Sequence, residues 1–65
     1  MSDKKTQDSK MERLGFGFTV EVYPLKGLYT GCIYNSQNII VYYIPRMVTP
    51  AQVIDEATEY ANKHQ

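Results

Sequence analysis

His64 and Cys32 are the only imidazole and the only thiol in the chain. A structural zinc site takes four Cys or His ligands, so this pair cannot assemble one. A lone cysteine closes no internal disulfide. His64 falls at the end of a predicted helix, where helices fray, which suits a solvated or structural imidazole better than a general base. Cys32 lies mid-strand with no basic residue nearby in sequence to lower its pKa, and reads as a packed thiol. Asp55, Glu56 and Glu59 fall on the solvated back of the helix. A catalytic carboxylate pair needs one member in an apolar pocket and the other held apart from it. Gly15-x-Gly17 precedes a strand rather than a helix, so it lacks the setting in which backbone N–H groups cradle phosphate. These positions yield no catalytic, cofactor-binding or metal residue, and the expectation is a protein that is not an enzyme.

Sixty-five residues allow a single domain. A chain of this size buries only roughly 60% of the surface its unfolded form exposes. Small scaffolds make up the shortfall with disulfides, a metal or association. With the first two removed, association is the option left. Seven basic and seven acidic residues cancel to a formal net charge of zero. That removes the electrostatic footprint of a nucleic-acid or anionic-membrane binder and favours contact between copies. No apolar run approaches the ~20 residues that span a bilayer. The charged N-terminus is followed by no apolar signal-peptide core. The expected setting is the cytoplasm.

The elements that must position any site follow from periodicity. Residues 1–12 open on MSDKKTQDSK, with no apolar residue between Met1 and Met11, and read as a disordered charged tail. Residues 13–65 form the expected domain. Phe16, Phe18, Val20 and Val22 alternate with Gly17, Thr19, Glu21 and Tyr23, the period-two pattern of a half-buried strand. Pro24-Leu25-Lys26-Gly27 reads as a tight turn. A second strand runs from about Leu28 to Tyr34, and Asn35-Ser36-Gln37-Asn38 is a second turn. A third strand, Ile39 to Ile44, is stopped by Pro45. Thr49 is a helix N-cap, Pro50 suits the first helical position, and Gln52 completes a capping box. Val53, Ile54, Ala57, Tyr60, Ala61 and His64 form one stripe of this helix. Glu59 and Lys63 stand at pairing distance, i and i+4. The fold class is α+β: a three-stranded antiparallel meander followed by one C-terminal amphipathic helix.

Short turns force the meander order, with Tyr23 opposite Leu28 and Tyr34 opposite Ile39. One face then carries Phe16, Phe18, Val20, Val22, Tyr29, Gly31, Ile33, Ile40, Tyr42 and Ile44, and the helix should cover it. Gly31, near its centre, would let the helix approach closely. The other face is polar at Thr19 and Glu21 but apolar at Cys32, Tyr34, Ile39, Val41 and Tyr43. One helix cannot cover both faces. The third strand is an edge without a charge, and native proteins usually blunt such edges. Cys32, Tyr34, Ile39, Val41 and Tyr43 are therefore the candidate partner interface. The expected function is a small non-enzymatic protein-binding module or regulator whose partner is a second copy of itself, a homodimer.

Two alternatives follow from the same surface. Strands followed by a helix resemble the architecture of plant AP2-type and integrase arm-binding DNA-binding domains, which read a groove with basic strands. Here residues 16–44 hold no arginine, and Lys26 lies in a turn. A nucleic-acid binder would have to use the sheet face and the lysines of the tail, Lys4 and Lys5. The other alternative is a phage- or plasmid-type inhibitor of a host protein, suggested by small size and an adhesive surface.

Overall fold

The computed structural model describes residues 9–64. Residues 1–8 of the tail expected over residues 1–12 lie outside them. Four strands and one helix follow in chain order: β1 (Lys10–Arg13), β2 (Thr19–Leu25), β3 (Leu28–Tyr34), β4 (Ile40–Met47) and α1 (Pro50–Lys63). The strands form one antiparallel meander in the order β1-β2-β3-β4. The α+β class, the meander and the C-terminal helix are as the sequence implies, and the sheet gains a fourth strand. Among the described residues, no helix is long and apolar enough to cross a membrane.

The added strand is β1, within and just beyond the segment read as tail. It pairs with β2 from Lys10 opposite Val22 to Arg13 opposite Thr19. All four of its residues are exposed, so backbone pairing rather than burial holds it. The connection explains a second difference. Phe16 and Gly17 are not strand residues: both have positive φ, 61° and 83°. The Phe18 N–H donates to the Gly15 carbonyl at 3.2 Å, closing a type I′-like turn, the kind whose twist suits a hairpin. Phe16, expected on the core face, is therefore exposed at the tip of this turn.

The β2–β3 hairpin is tighter than the expected four-residue turn. Leu25 pairs with Leu28, leaving only Lys26 and Gly27 in the loop, both with positive φ. Pro24 belongs to β2, opposite Tyr29. The β1–β2 pairing runs only to Val22 among the described residues, so no ladder bond described on that side needs the missing N–H of Pro24. The Asn35–Asn38 turn forms as expected, with the Asn38 N–H on the Asn35 carbonyl at 2.9 Å. The Asn35 side-chain oxygen accepts from the backbone of Gln37 and Ile39.

Pro45 does not end the last strand, which continues to Met47. A bulge accommodates it: Tyr29 faces Met47 but Gly31 faces Ile44, so two residues of β4 oppose Thr30. The Thr30 hydroxyl donates to the Ile44 carbonyl at 2.7 Å and satisfies a group the irregular ladder leaves over. A second irregularity sets Ile33 opposite Tyr42 but Tyr34 opposite Ile40, with Val41 as the extra residue. Ile40, expected under the helix, is thereby placed opposite Tyr34 and exposed.

The helix lies on the expected face. Val20, Val22, Ile33, Ile44, Val53 and Ala57 form the core, and Phe18, Tyr29, Tyr42, Ile54 and Tyr60 pack against it. The Thr49 side chain accepts from Gln52 N–H, while Gln52 Oε1 accepts from the N–H groups of Val48 and Thr49. Four orphan donors begin every helix, and this reciprocal box satisfies part of that demand. A Cβ on Gly31 would stand 3.0 Å from Val53 Cγ1. The close approach expected at this glycine is therefore present.

Candidate interaction surface

α1 packs on β2, β3 and β4 from one side only. The opposite side of the sheet carries no second layer of this chain's described residues. Cross-strand partners share a face, so the register lays out this open side in rows. Met11, Glu21, Cys32 and Tyr43 form one row across all four strands. Arg13, Thr19, Tyr34 and Ile40 form the next, and Tyr23 stands opposite Thr30 on the other side.

Of the interface residues expected from sequence, four reach solvent. Tyr43 is 70% exposed, Ile39 54% and Val41 37%, and Tyr34 is half-buried. Cys32 is different: only 4% of it is exposed, in an inner strand between Glu21 and Tyr43. It forms the floor of the patch rather than its contact surface. Ile39 lies just before β4 and is tied to the turn, where the Asn35 N–H donates to its carbonyl at 2.9 Å.

Apart from Arg13 on β1, the polar groups at the centre of this face are neutral or hydrogen-bonded to one another. The Tyr34 hydroxyl donates to Glu21 Oε1 at 2.8 Å. Its pKa is pushed well above the usual tyrosine range by hydrogen bonding to Cys32 and Glu21, with burial adding to the shift. Burial likewise raises the Tyr23 hydroxyl, reinforced by the nearby Cys32, Glu21 and Tyr43. The Cys32 thiol is pushed up by burial, which outweighs the opposing hydrogen bond from Tyr34. A thiol acts as a nucleophile through its thiolate, so this environment suppresses its reactivity. The face can bury apolar area and exchange tyrosine hydrogen bonds.

No protein-family model, curated protein or solved structure matches the chain.

The two edges of the sheet differ in character. β1 presents Lys10, Glu12 and Arg13. β4 presents Ile40, Val41 and Tyr43 in exposed positions and carries its only charge at Arg46, within the bulge opposite Thr30. On the helix side of β4, Tyr42, Tyr60 and His64 make an aromatic stack, where periodicity alone implies only core-facing positions. Ring centroids lie 4.9 Å apart for Tyr42–Tyr60 and 4.0 Å for Tyr60–His64, at 19° and 16° between planes. Phe18 meets Tyr60 edge-on at 5.7 Å. His64 Nδ1 lies 2.9 Å from the Tyr60 carbonyl. The i,i+4 spacing of Tyr60 and His64 was the available signal. Among the described residues, no three His, Cys, Asp or Glu side chains converge as a metal site.

Proposed function

We propose that the chain is a small non-enzymatic binding module that acts by occupying a protein surface, and that its partner is a second copy of itself. The observation that carries this reading is the contrast between the two sheet edges. Among the described residues both edges offer unpaired backbone groups; β1 bears three charges along its four residues, whereas β4, though irregular at Val41 and closed by Pro45 and Arg46 at its C-terminal end, carries no charge from Ile40 to Ile44. β4 leaves the same kind of edge apolar beside Val41 and Tyr43. Zero net charge removes long-range repulsion between copies. A small core gains from association what it lacks alone.

Sedimentation equilibrium of the wild-type chain and of Val41→Lys tests the proposal. Wild type should sediment at twice the chain mass, and Val41→Lys at the chain mass with an unchanged far-UV spectrum. The lysine would place a charge in the middle of the open edge. A wild-type chain that stays monomeric at high concentration would overturn the reading.

A further inference from the structure

A second copy could stack open face on open face, or extend the sheet edge to edge; the helix side of β4 favours the second. A cleft of about 320 Å³ runs along the C-terminal half of α1, lined by Tyr42, Glu56, Glu59, Tyr60, Lys63 and His64. Its only strand residue is Tyr42, so it opens over the outermost strand. Among the described residues, no ion pair engages Glu56, Glu59 or Lys63. The i,i+4 pairing expected between Glu59 and Lys63 does not form, which leaves these charges available to a neighbour.

The direction of α1 supplies the rest. Val53 sits on Gly31, which faces Ile44, whereas Tyr60 stacks on Tyr42. The helix therefore runs antiparallel to β4. A two-fold axis normal to the sheet beside Tyr42 sets β4 antiparallel to its copy and turns one α1 antiparallel to the other. Tyr60 lies midway in sequence between Glu56 and His64. The acidic part of the flank on one protomer then meets the basic part on its partner, twice, by symmetry. Strands lie about 4.8 Å apart, so two helices centred over their β3 strands would stand roughly 14 Å apart. That is too far for the 8–10 Å of direct helix packing, but within reach of opposed Glu and Lys side chains.

Resting on the self-association proposed above, we infer that two copies join as a continuous eight-stranded sheet through antiparallel β4–β4 pairing centred near Tyr42, with the Glu56/Glu59 flank of each helix facing the Lys63/His64 flank of the other. The open faces then become contiguous, and Val41 and Tyr43 of both copies lie side by side.

Charge reversal tests this geometry independently of dimerisation itself. Dimer dissociation constants would be measured by sedimentation in low salt for wild type, Glu56→Lys, Lys63→Glu and the double variant, with circular dichroism to verify folding. Each single reversal should weaken the dimer about tenfold, since each disturbs two symmetric contacts and replaces attraction with repulsion. The double variant should return to within about threefold of wild type. A dimeric wild type whose affinity is unmoved by Lys63→Glu, or a double variant weaker than either single one, overturns the edge-to-edge geometry alone. A monomeric wild type overturns the proposed function with it.

Discussion

Replacing Gly31 with alanine should destabilise the fold, and the size of the loss can be worked out from its surroundings. Gly31 is paired with Val22 on one side and Ile44 on the other, in the middle of the sheet under α1. The added Cβ would meet Val53 Cγ1 at 3.0 Å and press on the Glu21 backbone carbonyl. Comfortable carbon–carbon contact begins near ~3.5 Å. Val53 could yield only by leaving its rotamer or by lifting the helix, and the Glu21 carbonyl could yield only by disturbing the β2–β3 ladder. Overpacking a filled core costs about 1–3 kcal/mol. Reduced freedom of the unfolded chain returns about 0.4–1 kcal/mol. The net loss is about 1–2 kcal/mol. With a urea slope of about 1 kcal/mol per M for a small domain, the midpoint should fall by about 1–2 M. Urea titrations followed by far-UV circular dichroism would measure it, at one protein concentration because association adds to apparent stability. Gly15→Ala is the control: no atom stands within 4 Å of its added Cβ, so its midpoint should shift by less than about 0.5 M. Equal midpoints for Gly31→Ala and Gly15→Ala would refute the claim that α1 rests on the bare backbone of β3.

Thr49→Ala removes the hydroxyl that accepts from Gln52 N–H; thermal unfolding should show a loss of about 1 kcal/mol, the usual worth of an N-cap. Stability should also fall in alkali. Cys32, Tyr23 and Tyr34 all have pKa values raised in the fold above their ordinary 9.0, 10.0 and 10.0. The unfolded chain therefore loses these protons first, and the stability they contribute is complete below about pH 9 and is lost as pH climbs through the raised values. Unfolding midpoints measured from pH 7 to 11 should be level at first and then decline, with a shallower decline in Tyr34→Phe. A midpoint that rises above pH 10 would contradict the burial and hydrogen bonding assigned to this cluster.

The legible parts of the fold are those where a side chain's burial imposes a period. Val20, Val22, Ile33 and Ile44 alternate because one side of each strand faces α1, and the capping box announced the start of that helix. β1 left no such trace, because Lys10–Arg13 buries no side chain and is held by backbone bonds that any sequence can make. Phe16 continued the alternation of β2 while lying in a turn, since composition does not reveal that its φ is positive. The expected hairpin registers were off by two residues at Leu25–Leu28. A shift of two conserves the facing of every side chain, whereas a shift of one would have inverted it. That parity is why the core face survived an incorrect turn, and why Ile40, displaced by an odd-numbered bulge, did not.

The candidate surface was legible through charge rather than through chemistry. Absence of Lys, Arg, Asp and Glu between Leu28 and Ile44 can be read directly, and it marked the strand that became the bare edge. Burial of Cys32 was not readable, because it depends on its place in an inner strand between Glu21 and Tyr43, a position that alternation alone assigns to solvent. The unexpected β1 alters the meaning of that edge. In a three-stranded sheet, β2 would have been a second open edge, and self-pairing could have used either side. With β1 in place, β2 is paired on both sides over most of its length, and the outer position passes to a strand bearing Lys10, Glu12 and Arg13. One end of the sheet thereby bears charges that discourage strand addition, and the other keeps Ile40, Val41 and Tyr43 exposed. A sheet that is sticky at only one end can add one copy and then stop, because joining two such ends leaves a charged β1 at each margin. If the proposed association holds, the same asymmetry would limit it to a dimer.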